Sequence, residues 1–255
     1  MEWYWILTIV LGSITLLSLI MSFFYYTFFK RVCDIICALA VFIFLWPLYL
    51  VMAILVKTKL GSPIYFKQVR PGKDGKLFTM YKFRSMSDKK DENGNLLPDG
   101  ERLTKFGKWL RKTSLDEMPE AINILKGDMS VIGPRPFLVK DYVFFDEITM
   151  KRQSVKPGLS GLAQVNGRNG ISWEDKFKYD LQYIQKISFW KDLKIVFKSI
   201  FKSFVKKDSI NREGFDTDED YGDYLLREER INKDYYLQQV TVSNKMIEDF
   251  AYGKK

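Results

Sequence analysis

The stretch that decides the architecture is "KRVCDIICALAVFIFLWPLYLVMAILVKTK", Lys30 to Lys59. Between Val32 and Val56 its only charge is Asp34, while Lys30 and Arg31 precede the apolar run and Lys57 and Lys59 follow it. A straight membrane span would leave one basic flank outside, against the tendency of Lys and Arg to remain cytoplasmic. Pro47 lies inside the run. It has no backbone donor and its ring clashes with the preceding turn, so a helix bends there. A helix bent at Pro47 could enter a bilayer and return to the same face. A spanning helix with a tolerated proline kink is the competing reading. The charges favour the re-entrant hairpin slightly. Cys33 and Cys37, one helical turn apart, read as small apolar packing residues rather than a disulfide or metal site.

On the N-terminal side, residues 3–29 carry no charge and are long enough to cross a bilayer, for which about 20 apolar residues suffice. Trp3, Tyr4 and Trp5 at one end and Tyr25 and Tyr26 at the other suit interfacial aromatic belts. The start lacks the positive region and small-residue cleavage site of a signal peptide, so a retained anchor is expected.

On the C-terminal side, residues 64–69 and 77–83 are aromatic and β-branched, separated by Pro71-Gly72 and Asp74-Gly75, and predict a β-hairpin. Residues 87–102 are polar with glycines and a proline, and read as a loop. Short helices are expected over residues 105–110 and 120–126, the second stopped by Gly127. "KPGLSGLAQVNGRNG", residues 156–170, reads as irregular. Trp173, Phe177, Leu181 and Ile184 recur at helical spacing. Residues 192–205, "DLKIVFKSIFKSFV", predict a basic amphipathic helix suited to a membrane surface, or a packing helix with a solvated basic face. From residue 206 the chain is polar, with an acidic cluster over residues 216–223 that reads as solvated or partner-binding. The expected division is an anchor (1–29), a membrane hairpin (30–58), a cytoplasmic domain (59–205) and a polar tail (206–255). The fold class is α+β and mostly helical.

The chain has 255 residues, a formal charge of +9 and no histidine. The basic balance suits a phosphate-bearing partner or an anionic membrane. Without histidine there is no Ser-His-Asp triad and no His-based zinc site. An enzyme built from this chain must use carboxylates, Lys, Tyr, Ser or Cys.

"RKTSLDEMPEAINILKGDMSVIGPRP", residues 111–136, concentrates such groups. Ser114 and Glu117 match a capping box, which would make Glu117 structural. Pro119 argues in part against that, and a first-turn carboxylate at Asp116 also suits the helix dipole. The flanking cations shift the balance. Arg111, Arg135 and Arg84 could gather around a diphosphate, because guanidinium groups match phosphate oxygens in bidentate geometry. A carboxylate among such cations can hold Mg²⁺ or attack phosphorus.

The segments "KRVCDIICALAVFIFLWP", "VRPGKDGKLFTMYKFRSMSD", "TSLDEMPEAINILKGDMSVIGPRP" and "KPGLSGLAQVNGRNGISW" resemble the bacterial sugar transferase family, the monotopic phosphoglycosyl transferases. The likeness runs from about Lys30 to Val205 and looks closest to the small, single-domain members. It implies transfer of a phospho-sugar from a UDP-sugar to polyprenyl (undecaprenyl) phosphate, with release of UMP, as the first membrane step of a capsule, exopolysaccharide or other surface glycan. The family's Asp-Glu dyad falls on Asp116 and Glu117. Its aspartate is the nucleophile that forms a covalent phospho-sugar enzyme, and Mg²⁺ is the implied cofactor, with Asp116 near it. The motif lysine and arginines fall on Lys82, Arg111 and Arg135; Arg168, in Asn166-Gly167-Arg168, also matches. The family's central-proline membrane helix falls on residues 32–56 and resolves the topology in favour of the hairpin. The implied location is the bacterial inner membrane, with the catalytic domain in the cytoplasm. Implied partners are UDP-sugar, polyprenyl phosphate, membrane lipid and downstream glycosyltransferases, with no nucleic acid. The added N-terminal helix departs from the smallest members. Likeness to those members points to an N-acetylated UDP-sugar.

A membrane-anchored, non-catalytic binder of polyanion or lipid would also use the +9 charge, but would be indifferent to Asp116. A nucleotide-sugar hydrolase would share the phosphate site, but would leave the apolar hairpin without a purpose. UMP release that depends on polyprenyl phosphate separates the three.

Overall fold

The two apolar runs form one continuous stretch of helix up to Phe44. In the computed structural model, which describes residues 2–167, 170–205 and 219–253, α1 (Glu2–Phe24) passes through a π-helical turn (Tyr25–Phe29) into α2 (Lys30–Phe44). Helix continues through the two cations. Lys30 and Arg31 favour helix as well as any straight-chain residue, and both are used for docking. Lys30 donates to Asp192 at 2.6 Å, and Arg31 to the carbonyl of Leu125 at 2.8 Å.

The break comes at Leu45 (φ −106°, ψ 11°), and α3 (Trp46–Leu60) follows, bent by 70° from the helix before it. Pro47 sits in the first turn of α3, where its missing donor is tolerated and its fixed φ suits a helix start. Among the described residues no single helix is long and apolar enough to cross a membrane. The bent pair Tyr25–Phe44 and Trp46–Leu60 meets that requirement only together. In α1 the side chains at 17–23 lie outside the described residues, and the described apolar stretch is Trp3–Leu16.

The predicted hairpin is present. β1 (Tyr65–Pro71) pairs antiparallel with β2 (Leu77–Phe83), in register from Tyr65 opposite Phe83 to Pro71 opposite Leu77. Next come α4 (Asp99–Arg102), α5 (Lys105–Lys112), α6 (Glu120–Lys126), β3 (Ser130–Ile132), α7 (Val139–Tyr142), α8 (Glu147–Met150), β4 (Gly158–Ser160), α9 (Leu162–Asn166), α10 (Trp173–Gln185), α11 (Phe189–Val205), α12 (Tyr221–Arg227) and α13 (Lys233–Tyr252).

The glycine-rich segment expected to be irregular holds β4 and α9. β4 pairs in parallel with β3, Ser130 opposite Gly158 and Ile132 opposite Ser160. A Cβ on Gly158 would lie 2.0 Å from the Gly133 nitrogen. The glycines here permit close backbone approach as well as looping.

The apolar segment of α2 and α3 is not a separate body. Ala38 of α2 packs with Phe78, Met80, Ala121, Ile124 and Met129. Met52, Val56 and Leu60 of α3 pack with Phe83 and Leu110. Val56 and Leu110 are fully buried, each contributing about 1.5–3 kcal/mol of transfer free energy. The inner faces of α2 and α3 thus belong to the domain core. Their outer faces and the break leave Ile36, Ile43, Phe44, Trp46, Leu50 and Ile54 exposed. On α11, Trp190, Phe197, Ile200 and Phe201 are exposed as well.

Asp192 joins these parts: its carboxylate accepts from Lys30, Tyr25 and Tyr183, and all four groups are buried. A buried carboxylate with one ammonium and two hydroxyl donors is a satisfied charge.

In the polar tail, α12 and α13 are helical, and part of the acidic cluster packs against the domain. Asp220 and Asp223, in the cluster read as solvated or partner-binding, both accept from Lys140 of the same chain at 3.0 Å. Tyr221 enters the aromatic cluster of Phe145, Trp173 and Phe177. Residues 216–218 of the acidic cluster lie outside the described residues.

Candidate active site

The site is built on the turn between α5 and α6. α5 ends at Lys112, and Ser114 adopts a left-handed conformation (φ 56°) that redirects the chain. Leu115–Glu117 then forms a single 3₁₀ turn, and Pro119 precedes α6 at its N-cap. Ser114 makes no side-chain capping bond. The capping-box reading of Glu117 therefore fails, because positive φ at Ser114 replaces the extended backbone a capping serine needs. Leu115 and Met118 pack against the cluster formed by α3, Phe83 and Leu110, so the apolar hairpin supports the turn from beneath.

With its capping role removed, Glu117 turns to cations. Lys82 on β2 donates to Glu117 Oε1 at 2.8 Å and lies 3.1 Å from Glu120 Oε1. Arg135 Nη1 is 3.9 Å from the same Glu117 oxygen. Lys82, Glu117 and Arg135 line one pocket with Arg70, Met80, Glu120, Pro136, Gly158 and Leu159.

Asp116 is buried beside this pocket. Burial and the neighbouring Glu117 raise its carboxyl to about 6, against the opposing pull of Lys82 and Arg111. Burial likewise raises Glu120 to about 7, against the pull of Lys82. Burial would lower Lys82, but Glu117 and Glu120 outweigh it and hold the ammonium above its ordinary value.

The sequence-derived cations divide. Lys82 and Arg135 meet at the pocket. Arg111 donates through Nε to Ser85 Oγ at 2.8 Å, and its charge is felt at Asp116. Arg84 goes elsewhere: it is buried, and its guanidinium engages the Leu60 and Ser62 carbonyls and Asp88. It braces the end of α3 and makes none of its bonds to Lys82, Glu117 or Arg135. Arg168 lies outside the described residues.

The backbone around Arg135 is held by more than its two prolines. Arg152 donates to the Arg135 carbonyl at 2.5 Å and is locked to Asp180 at 2.7 Å, both side chains being 1% exposed. Arg70 donates to the Pro136 carbonyl at 3.1 Å.

Sequence reading passed over Glu120 and Arg70. A signal existed for each. Glu120 stands three residues after Glu117, a spacing that puts two helical side chains on one face. Arg70 and Lys82 fall on the same face of the hairpin, since Gln68 pairs with Met80 and the even-numbered residues of both strands alternate to one side.

The arrangement is a small pocket with three cations and neighbouring carboxylates, suited to polyphosphate oxygens. Among the described residues no group of three or more Asp, Glu or Cys is gathered as a metal cage. The donor set instead suits Mg²⁺, which keeps waters and takes one or two carboxylates plus substrate phosphates. Asp116, buried beside a second carboxylate, would hold it.

A family model described as bacterial sugar transferase matches residues 25–206. The chain belongs to the bacterial sugar transferase family. It is 48% identical over 178 residues to a Bacillus subtilis protein named as an uncharacterized sugar transferase, EpsL, covering 70% of this chain and 88% of that one. It is 44% identical over 189 residues to the UDP-glucose:undecaprenyl-phosphate glucose-1-phosphate transferase of Klebsiella pneumoniae, covering 70% of this chain and 41% of that enzyme. It is 40% identical over 186 residues to the UDP-N-acetylgalactosamine-undecaprenyl-phosphate N-acetylgalactosaminephosphotransferase of Aeromonas hydrophila, covering 69% and 43%. The chain thus spans most of the Bacillus sugar transferase and about two fifths of the two longer ones. Asp116, Glu117, Lys82, Arg111 and Arg135 all lie inside the family match, whereas α12 and α13 lie beyond it.

Proposed function

We propose that this sugar transferase moves a phospho-sugar from a UDP-sugar to undecaprenyl phosphate and releases UMP, the initiating step of a surface or secreted polysaccharide. The observation that carries the reading is Asp116 and Glu117 on one 3₁₀ turn, with Lys82 and Arg135 at Glu117 and Arg111 near Asp116. The family relation and the relatives' named reactions support it.

In the first half-reaction the Asp116 carboxylate attacks the sugar-bearing phosphorus. A bond forms between Asp116 oxygen and phosphorus, and the bond to the UMP oxygen breaks. Lys82, Arg135 and Arg111 stabilise charge on the phosphoryl group and the departing nucleotide. Glu117 holds Lys82 and places Asp116 in line. In the second half-reaction an oxygen of the lipid phosphate, already ionised at neutral pH, attacks the same phosphorus and frees Asp116. No general base is needed, which suits a chain without histidine. Mg²⁺, when bound, would offset the phosphate charge that otherwise repels an attacking carboxylate.

For the membrane, the proposed arrangement is a hairpin of α2 and α3 that enters the inner leaflet and returns, with the domain on the cytoplasmic side and α11 at the interface. The 70° bend, the basic flanks and the exposed apolar residues on α2, α3 and α11 support it. Residues 1–29 would add an anchor.

The test incubates enzyme with UDP-sugar labelled in the sugar, without lipid, and then denatures it. Label is expected on a peptide containing Asp116 and absent from Asp116→Asn. UMP release that requires lipid, with no trapped label, would favour a single ternary displacement. Screening UMP release with undecaprenyl phosphate, N-acetylated donors against UDP-glucose and UDP-galactose, identifies the sugar.

A further inference from the structure

Arg70 has no part in the reaction as derived above, yet its side chain lines the same pocket as Lys82, Glu117, Glu120 and Arg135. It projects from the end of β1, a rigid strand paired along its length. Two of its nitrogens have partners: Nη1 donates to the Pro136 carbonyl at 3.1 Å and Nη2 to Gln68 Oε1 at 2.6 Å. Its Nε is buried and has no partner. An unpaired buried donor is costly, more so on a charged group. None of its hydrogen bonds is to a carboxylate. Burial, and after it the charge of Arg135 across the pocket, lower its guanidinium to about 10. A pocket that brings two guanidinium groups and an ammonium together, with one guanidinium donor unused, is arranged for an anion with several oxygens.

We propose that Arg70 is a substrate-binding residue that, with Arg135, grips the diphosphate of the nucleotide sugar. The inference rests on the transferase reading and adds a residue to it. The competing role is a brace: through Pro136, Arg70 could merely hold the Arg135 loop in place.

The experiment uses the full chain in detergent and measures UDP binding by calorimetry, the KM for undecaprenyl phosphate, and the ligand-free melting temperature. Arg70→Gln keeps an amide that can serve the Pro136 carbonyl but removes the charge. It should weaken UDP binding by about tenfold or more, as expected for a lost bond to a charged group. The KM for lipid phosphate and the melting temperature should stay near wild type. Should Arg70→Gln fail to fold, Arg70→Lys decides: it keeps a charge on a single donor nitrogen but loses the planar fork, so UDP binding should still weaken, by about threefold or more. Unchanged UDP affinity, with activity falling only as the melting temperature falls, would leave Arg70 a brace and overturn the inference. A change confined to the KM for the lipid would overturn the assignment to the nucleotide. If the wild-type chain binds no UDP, the transferase reading itself fails, and Arg70's role with it.

Discussion

Lys82 answers to two carboxylates, Glu117 at 2.8 Å and Glu120 at 3.1 Å, in a site where Glu120 is almost wholly buried. Removing the ammonium leaves two acids facing each other in low dielectric. Lys82→Ala should therefore lose stability as well as activity, by about 2–3 kcal/mol, below the range for fully buried pairs because Lys82 retains some exposure. Adding Glu120→Gln should recover part of that loss. Urea unfolding of the two single variants and the double variant tests this, and strictly additive effects would deny the coupling. Arg111→Ala and Arg135→Ala should each lower kcat/KM by about 10²–10³, the cost of removing one transition-state donor. Arg84→Ala should behave differently. Its bonds run to the Leu60 and Ser62 carbonyls, so it should lower the melting temperature while the folded fraction still traps labelled sugar.

At the level of elements, the break at Leu45 and the first-turn proline of α3 give the apolar hairpin its angle. Pro47→Ala restores a backbone donor to the helix and removes the ring clash that ends α2. A fraction of molecules should then straighten towards a spanning form. Cysteines placed at Lys59 and labelled from each side of the membrane report this. Labelling from the cytoplasmic side alone is expected for the parent sequence, and a mixture for the variant. The inner faces of α2 and α3 share cores with β2, α5 and α6, so straightening must also disturb the turn that carries Asp116. Activity should fall with it, although Pro47 touches no substrate.

Over the whole molecule, the C-terminal helices clasp the domain next to the pocket lined by Lys82 and Arg135. Asp141 of α7 accepts from the Leu138 and Tyr221 backbone nitrogens at 3.0 and 2.8 Å, and Lys140 pairs with Asp220 and Asp223. Truncation after residue 205 removes Tyr221, Asp220 and Asp223, leaves Asp141 with the Leu138 nitrogen alone, and uncovers the Phe145, Trp173 and Phe177 cluster. A lower melting temperature is expected, and differential scanning calorimetry measures it. Burial raises the Asp141 carboxyl from 3.8 to about 6. Between those values the native state keeps a proton that the unfolded chain has lost. Its contribution to stability is therefore fully present below about pH 4 and declines as pH rises through 6. Asp141→Asn cannot titrate, so its unfolding free energy should vary less between pH 4 and 7 than that of the parent. It should also be less stable at low pH, because an amide oxygen cannot accept both backbone donors as well as a carboxyl group does.

What the sequence determined by itself was local. The proline-centred apolar run, the β-hairpin, the stop at Gly127 and the amphipathic helices follow from periodicity and turn chemistry within a few residues of each position. So do Asp116 and Glu117, which are adjacent in the chain and flanked by their arginines. The tertiary structure decided which distant groups join them. Glu120 and Arg70 enter the pocket, and Arg84, two residues from Lys82, leaves it for the end of α3. Gly158 reads as a loop residue until Gly133 packs against it, and Asp220 and Asp223 read as solvated or partner-binding until Lys140 meets them. A charged side chain commits to whichever partner the packing brings within reach when it is buried, and that partner is set by contacts between residues far apart in the chain.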